Sequence, residues 1–275
     1  MSRRKVLREL DLPIIEASGL CSFEGSDDST WVALISDADN SLAMAAMAGG
    51  GELDWLTLNL GEFEDVPSDL RQLEAIESAG GTRFVVMAEE PALLALGDFA
   101  ARQFLGEWHL SAGNDAKFAE IWSSGDNSRG EAMVLGPNGH LLVIKEKKPV
   151  VVVEFGPAGD QPLMTDPSTW GVTPWEPAAN GDLVALAWTV LEGPLADVSD
   201  AAVSGNQIWL LSDEEQAVAP LRLQNGKWDI GKLIKLDKMV DKPEGLTRLP
   251  NGEWWMCMDR DDLAANLMRI ESLDD

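Results

Sequence analysis

Short apolar runs alternate with turn residues along this chain, and five segments repeat one order of features. Each segment has a small or acidic residue, an apolar run, a turn with Gly or Asn, a second apolar run and a final carboxylate. The segments are residues 17–37, 73–89, 130–146, 198–213 and 243–259. Gly and Asn tolerate the positive φ that tight antiparallel connections demand. The pattern therefore predicts five β-hairpins.

Further strand-like runs follow the hairpins, for example SLAMAAM (41–47), DWLTLNL (54–60) and AVAPLRLQ (217–224). Each repeat is therefore predicted to contain four strands. The repeats begin at residues 18, 74, 131, 199 and 244, so they are 56, 57, 68 and 45 residues apart. This spacing is typical of β-propeller blades with loop insertions. No helix of ten or more residues is predicted.

The two ends of the chain predict how the last repeat is completed. After Asp259 only one strand-like run remains, LAANLMRIE (263–271), whereas the N-terminal run KVLREL (5–10) has no hairpin partner of its own. Pairing of these two runs closes an otherwise open sheet edge. We therefore predict an all-β fold, a five-bladed β-propeller formed by one domain over residues 1–275. A six-bladed propeller and an open β-sandwich are the alternatives.

The acids of the repeats occupy matching positions. We call the residue that begins the first strand of a hairpin its leading residue, and the residue that follows the second strand its trailing residue. In an antiparallel hairpin these two residues lie at the same end. The leading residues are Ser18, Glu74, Glu131, Ser199 and Glu244, and the trailing residues are Asp37, Glu89, Glu146, Asp213 and Asp259. If each hairpin is the inner pair of its blade, these side chains converge at one mouth of a central channel.

Crowded carboxylates need compensation, because like charges at short distance disfavour one another and raise the pKa values. The neighbouring cations are Lys145, Lys147 and Arg260, and strand alternation turns Lys145 away from Glu146. Oxygen-only donors favour calcium or magnesium over zinc, with Ser hydroxyls and water completing the shell. The predicted metal ligands are Glu74, Glu131, Glu244, Asp37, Glu89, Glu146, Asp213 and Asp259. Solvated or protonated acids without a metal are the alternative.

Aromatic residues divide into two groups. Trp31, Phe84, Trp209 and Trp254 recur in second hairpin strands, which predicts packing between neighbouring blades. Trp170 and Trp175 instead lie in a Pro-rich segment, residues 156–182, which we interpret as a loop insertion within the third blade. Strand order places this insertion on the face opposite the acids. It is predicted to be either a partner-binding surface or a self-packed Ω-loop.

Composition excludes several classes of function. The chain has 275 residues, with 47 acidic against 21 basic side chains, and a formal charge of −26. Such a surface repels nucleic acid and anionic membranes. The longest apolar runs are shorter than the ~20 residues of a membrane span, and no export signal follows the basic N-terminus. We therefore expect a cytoplasmic protein that binds neither nucleic acid nor membranes.

Familiar catalytic motifs are absent from the sequence. Cys21 and Cys257 are expected to be buried thiols, and His109 and His140 have no zinc-site spacing. The chain contains no GxSxG, GxxxxGK[ST] or GxGxxG. Nucleophile-elbow hydrolases, P-loop enzymes and Rossmann dehydrogenases are thus unsupported.

Three stretches carry a resemblance to a known family. NSRGEAMVLGPNGHLLVIKEKKP, DVSDAAVSGNQIWLLSDEE and KPEGLTRLPNGEWWMCMD resemble motifs of the SdiA-regulated proteins, relatives of the phytase-like β-propellers. The resemblance runs from about residue 16 to 270, without residues 98–117 and 156–182. It implies a propeller with possible calcium binding, with Glu74, Glu131 and Glu244 at the family's Glu positions and Ser18 and Ser199 at its Ser positions. Ala132 and Asp200, where the family has Gly, and Asp259, where it has Glu, depart from the pattern.

Three functions compete at this stage. The first is a metal-stabilised module, with calcium as the metal, that binds a protein or small-molecule ligand at the channel mouth or at the 156–182 loop. The second is a metal-dependent phosphoesterase or lactonase-like hydrolase that uses the acids predicted at the mouth of the central channel. No nucleophile with a general base can be named, so catalysis stays open. The third assigns the function to the charge itself, as a decoy for basic partners or an adaptation to high salt.

Overall fold

The computed structural model describes residues 3–25, 29–47, 53–89, 92–124, 130–147, 149–163, 167–171, 173–177, 181–224 and 226–274. Within these residues the chain is almost entirely β-structure, with four-stranded antiparallel units as the recurring motif. No helix of the described residues is long and apolar enough to cross a membrane.

The first two units follow the predicted order of strands, each pairing with the next. The first unit comprises β2 (Ala17–Glu24), β3 (Thr30–Ser36), β4 (Ser41–Ala46) and β5 (Leu56–Asn59). The second comprises β6 (Leu73–Gly80), β7 (Arg83–Ala88), β8 (Leu93–Asp98) and β9 (Gln103–Ser111).

The third unit shares a sheet with the second. It comprises β10 (Ala132–Leu135), β11 (Leu141–Lys145), β12 (Val151–Pro157) and β13 (Gly181–Val190). The outer strands β9 and β13 pair in parallel, from Trp108 opposite Gly181 to Ser111 opposite Val184, which joins both units into one eight-stranded sheet.

The fourth and last units complete the set of strands. The fourth comprises β14 (Asp200–Ser204), β15 (Gln207–Ser212), β16 (Ala217–Gln224) and β17 (Lys227–Ile230), with the short β18 (Ile234–Lys235) also paired to β16. The last comprises β19 (Pro243–Arg248), β20 (Trp254–Met258), β21 (Leu267–Ile270) and the N-terminal strand β1 (Val6–Leu10). All five predicted hairpins are therefore present.

The N-terminal strand closes the last unit as the sequence predicted. β1 runs antiparallel to β21, with Glu9 opposite Met268 and Leu10 opposite Leu267. The chain before β1 is also hydrogen-bonded to the fold, because the Arg4 N–H donates to the Lys235 carbonyl at 2.9 Å. Residues from the two ends of the chain thus lie in one sheet.

The first strands of the units line a common centre. β2 packs against β6, β6 against β10, β10 against β14, β14 against β19, and β19 against β2. Five apolar layers fill the spaces between successive units in the same cyclic order. Trp31 and Phe84 contribute to the first layer, and Trp209 and Trp254 to the fourth, so the predicted packing of these aromatics is confirmed.

One short helix was not predicted. The helix α1 (Ala116–Trp122) begins after Asp115, whose carboxylate accepts hydrogen bonds from the N–H groups of Lys117 and Phe118. Its buried residues Phe118 and Trp122 pack against Phe155. With seven residues it is too short for the periodicity of a ten-residue window to reveal.

The 156–182 segment contains the two Trp residues that periodicity left unexplained. Residues 164–166, 172 and 178–180 of this segment lie outside the described residues. Trp170 and Trp175 are both buried, in two different apolar layers, and the Trp175 indole N–H donates to the His140 carbonyl. The described part is therefore anchored to the sheets by its aromatic side chains.

Candidate functional site

An acidic cavity of about 210 Å³ lies where the leading ends of the hairpins meet. Its described lining holds ten carboxylates and one ammonium group. The lining residues are Glu16, Ala17, Ser18, Asp37, Glu74, Glu131, Glu146, Lys147, Asp197, Ser199, Asp213, Glu214, Glu244 and Asp259. The structure therefore brings together all predicted leading and trailing residues except Glu89. We name this cavity the acidic mouth.

A repeated backbone feature places the trailing acids beside the leading residues. Glu16, Gln72 and Lys242 each lie two residues before a leading residue, and each has a φ near +50°. Their carbonyl groups accept hydrogen bonds from the N–H groups of the trailing residues Asp37, Glu89 and Asp259, at 3.3, 3.1 and 2.9 Å. The bend and this hydrogen bond hold both ends of the hairpin at the acidic mouth.

The two leading serines connect neighbouring units. The Ser18 hydroxyl donates to the Leu73 carbonyl at 2.5 Å, and the Ser199 hydroxyl donates to the Pro243 carbonyl at 2.6 Å. Each hydroxyl proton is thus used to join the first strands of two units. Only the lone pairs of the serine oxygens remain for a ligand.

The leading glutamates lie in an environment that favours their neutral forms. Burial, with the charges of Glu89 and Asp37, raises the pKa of Glu74 to about 7. Burial, with the charges of Asp213 and Asp259, raises the pKa of Glu244 to about 9. The three glutamates come from three different units, so their convergence requires the closed arrangement of the strands.

Glu131 lies between the other leading acids. Burial and the charges of Glu74 and Glu146 raise its pKa well above the usual range. The protonation of Glu131 and that of Glu74 depend on each other, because each carboxyl group changes the pKa of the other. The pair therefore holds a proton at a pH where isolated glutamates are ionised.

The pKa values of two trailing aspartates are raised as well. Burial and the charge of Glu16 raise the pKa of Asp37, and burial and the charge of Asp197 raise the pKa of Asp213. Asp197 itself is buried and accepts hydrogen bonds from the N–H groups of Asp213 and Glu214, at 3.1 Å each. It therefore orders the turn that carries Asp213.

Lysine side chains compensate part of this charge. Lys147 forms an ion pair with Glu146, and Lys242 forms one with Asp259 at 3.0 Å. Both pairs are partly exposed at the edge of the acidic mouth. The buried Glu74 and Glu131 instead have raised pKa values.

Lys145 is a buried cation close to these acids. Strand alternation predicts that it faces away from Glu146, and it is not part of the described lining; its Nζ donates to the Lys147 carbonyl at 2.8 Å. Burial lowers the pKa of Lys145, opposed by the charges of Glu146, Glu89 and Glu131. The ammonium group therefore interacts electrostatically with these acids, although it does not line the acidic mouth.

The cavity lining differs from the predicted ligand set in a few residues. Glu89 is buried and raises the pKa of Glu74, yet it is not part of the described lining. The sequence reasoning missed Glu16, Asp197 and Glu214. Two of these had a signal, because the units that begin with Ser carry an acid two residues earlier, in Glu16-Ala-Ser18 and Asp197-Val-Ser199.

The donor chemistry of the acidic mouth suits a hard cation. Its acids and serines offer only oxygen atoms, which calcium and magnesium prefer. As the side chains lie, no three His, Cys, Asp or Glu residues of the described chain have the geometry of a metal site. Glu74 and Glu131, whose pKa values are raised, would have to ionise and reorient to bind a metal.

Comparisons with known proteins concern the fold. No protein-family model and no curated protein matches the chain. A solved glutaminyl cyclase of Myxococcus xanthus is similar with a TM-score of 0.59 and 11% identity, over 98% of this chain and 95% of that one. A PQQ-bound aldose sugar dehydrogenase of Streptomyces coelicolor is similar with a TM-score of 0.50 and 10% identity, over 98% and 97%.

These similarities support a β-propeller-like fold for this chain. At such low identity they carry no information about activity, substrate or cofactor. The resemblance to the SdiA-regulated proteins is not supported by them and stays a prediction.

Proposed function

We propose that the chain is a single five-bladed β-propeller, closed by β1, whose acidic mouth binds a divalent cation, with calcium as the best fit. The cation stabilises the ring, and the protein acts as a binding module for a protein or small-molecule ligand at the acidic mouth or the 156–182 loop. The five first strands in cyclic contact favour five blades over six. The sequence resemblance to the SdiA-regulated proteins agrees with this proposal.

The convergence of Glu74, Glu131 and Glu244 carries the proposal. These side chains arrive from three units in one cavity of about 210 Å³, beside seven more carboxylates and one lysine. Buried carboxylates without enough positive charge take up protons or bind a cation. A cation would replace the protons that these glutamates hold.

Calcium fits the donors better than magnesium. Calcium accepts six to eight oxygen ligands in a flexible geometry, whereas magnesium requires a near-ideal octahedron. The acidic mouth offers many carboxylates from separate loops, and Ser18 and Ser199 are already hydrogen-bonded. Many adaptable donors favour the larger ion.

Calorimetric titration of chelator-treated protein with calcium chloride tests the proposal. We expect saturable binding with proton release at pH 7, because Glu244 and the pair of Glu74 and Glu131 give up protons. Proton release is measured by repeating the titration in buffers of different ionisation enthalpy. The melting temperature should rise with calcium.

Two variants make the test specific. Glu131→Gln keeps the size of the side chain and should weaken calcium binding by about tenfold or more. Glu107→Gln removes an exposed carboxylate of β9, outside the acidic mouth, and should bind calcium like the wild type. Absence of binding heat, or equal affinity in both variants, would contradict the proposal.

A hydrolase is the second candidate. A neutral Glu244, with a pKa of about 9, beside acids that ionise more readily provides a proton donor and a base in one cavity. An activity screen with p-nitrophenyl phosphate and a δ-lactone separates the two functions. Calcium-dependent turnover that disappears in Glu131→Gln would favour the hydrolase, and calcium binding without turnover favours the binding module.

A further inference from the structure

A second cavity, of about 380 Å³, lies toward the other end of the first strands. Its lining includes residues three or four positions beyond the leading residues, namely Ser22 of β2, Glu77 of β6 and Thr247 of β19. A strand rises about 3.3 Å per residue, so these positions lie about 10 Å from the acidic mouth. We name this second space the far cavity.

Hydrogen bonds hold one wall of the far cavity in place. The Gly171 N–H donates to the Leu135 carbonyl of β10 at 2.7 Å, and the Trp175 N–H donates to the Ala79 carbonyl of β6 at 3.1 Å. Gly171 and Thr173, from the 156–182 loop, line the far cavity. The loop is therefore hydrogen-bonded to both the second and the third unit, at this end of their first strands β6 and β10.

The opposite wall is fixed in a similar way. The Ser22 hydroxyl donates to the Arg248 carbonyl at 3.1 Å, and the Thr247 hydroxyl donates to the Ser22 Oγ at 3.2 Å. These bonds join the first unit to the last. A cavity with walls fixed before binding loses little entropy when a ligand enters.

Two acids of the described chain line the far cavity, the exposed Glu24 and the residue Glu77, and Glu77 is the one whose pKa is shifted. Its described hydrogen bond comes from the N–H of Ser78, and no ion pair of the described residues includes it. Arg248 also lines the cavity, but its Nε donates to Asp274 at 2.9 Å. Burial raises the pKa of Glu77 to about 8.

Asp200 is a second acid that interacts electrostatically with Glu77. It is buried, and its carboxylate accepts hydrogen bonds from the N–H groups of Ala201 and Leu246, at 2.7 and 2.6 Å. Burial, and to a lesser extent the charge of Glu77, raises the pKa of Asp200 well above its usual range. A positive charge beside Glu77 would therefore interact favourably with both acids.

The lining also includes apolar side chains beside its polar groups. Leu20, Phe23, Leu135, Val203 and Leu246 line the far cavity together with the hydroxyls. An inorganic cation would leave this apolar surface without a partner, whereas an organic cation can cover it.

We propose that the far cavity binds a small protonated amine with an apolar body, whose ammonium group pairs with Glu77. This site is separate from the acidic mouth and does not depend on a metal there. The ammonium group requires an ionised Glu77, so binding at pH 7 releases a proton. The affinity rises with pH until the amine itself loses its proton.

Calorimetric titration with benzylamine tests this site, and benzyl alcohol is the neutral control ligand. We expect saturable benzylamine binding with proton release at pH 7, and an affinity that rises about 50-fold from pH 6 to pH 8, as ionisation of a group with a pKa of about 8 requires. Benzyl alcohol should bind at least about tenfold more weakly.

Matched variants locate the site. Glu77→Gln should weaken benzylamine binding by about tenfold or more, and Glu107→Gln, which removes an exposed carboxylate of β9 outside both cavities, should leave it unchanged. Urea denaturation confirms that both variants fold. The proposal is overturned if benzylamine gives no saturable heat, if Glu77→Gln binds it as tightly as the wild type, or if the wild-type affinity does not change between pH 6 and pH 8.

Discussion

At the scale of single residues, the leading glutamates make stability depend on pH. Glu244 has a pKa of about 9 in the folded protein, against 4.5 for an ordinary glutamate, so the folded state retains its proton to higher pH than the unfolded state. Its favourable contribution is fully present below pH 4.5 and is lost as pH rises through 9. Glu74, with a pKa of about 7, acts in the same direction over a narrower range.

Glu244→Gln should therefore stabilise the calcium-free protein at pH 8 and leave its stability at pH 5 almost unchanged. The expected gain at pH 8 is on the order of 2 kcal/mol, because Glu244 has to take up a proton when the chain folds at this pH, whereas the Gln amide is neutral in both states. Urea denaturation in the presence of a chelator measures it. Equal gains at both pH values would contradict the assignment, and Glu107→Gln serves as the control.

Sequence reasoning identified many of these residues for a physical reason. Alternation and turn chemistry are local, so they place Glu131 and Glu146 at one end of a hairpin without knowledge of the fold. Glu16 and Asp197 precede their hairpins and were missed, although the shared spacing to Ser18 and Ser199 marks them. The burial of Lys145 depends on side-chain packing, which no local pattern describes.

At the scale of secondary-structure elements, the first strands β19 and β2 lie so close together at Gly245 that no side chain fits at this position. A methyl group added at Gly245 of β19 would lie 2.4 Å from the Cys257 Sγ and 2.7 Å from the Leu20 Cβ of β2. Both distances are shorter than van der Waals contact allows. The close packing of β19 on β2 therefore depends on glycine at this position.

Gly245→Ala should lower the free energy of unfolding by about 2 kcal/mol, because the added methyl group forces these two strands apart. Gly205→Ala is the comparison. Gly205 has a φ of +55°, and an added methyl group there would have nothing within 4 Å, so backbone strain of about 1 kcal/mol is the expected cost. Urea denaturation measures the free energy of unfolding of both variants. If Gly245→Ala lowers it by the same amount as Gly205→Ala or by less, the close packing of β19 on β2 is contradicted.

The hairpins were predicted from sequence more fully than the connections. Each hairpin combines two apolar runs with a recognisable turn, whereas α1 is only seven residues long and the 156–182 loop has no periodicity. The far cavity could not be predicted, because Ser22, Glu77 and Thr247 meet only after the units have assembled.

At the scale of the whole molecule, the pairing of β1 with β21 joins the two ends of the chain. Without β1, one edge of β21 loses its hydrogen-bond partners while the other stays paired with β20, and Leu10 no longer packs against the apolar layer between the last and first units. Unpaired sheet edges also promote association with other chains. Closure therefore contributes to both stability and solubility.

A variant that lacks residues 1–10 should melt at least about 10 °C below the full chain and unfold with lower cooperativity. Differential scanning calorimetry measures both quantities. Adding a synthetic peptide of residues 1–10 in trans should restore part of the loss, since the peptide can pair with β21. An unchanged melting temperature would contradict closure by β1.

The central claim is that the acidic mouth binds a calcium-like cation, and anomalous diffraction tests it most directly. Crystals soaked in terbium, which replaces calcium and scatters anomalously, should give a strong peak bounded by Glu74, Glu131 and Glu244. Crystals of Glu131→Gln soaked in the same way should show a weaker peak. Peaks confined to other surfaces, or no ordered terbium at all, would contradict the account.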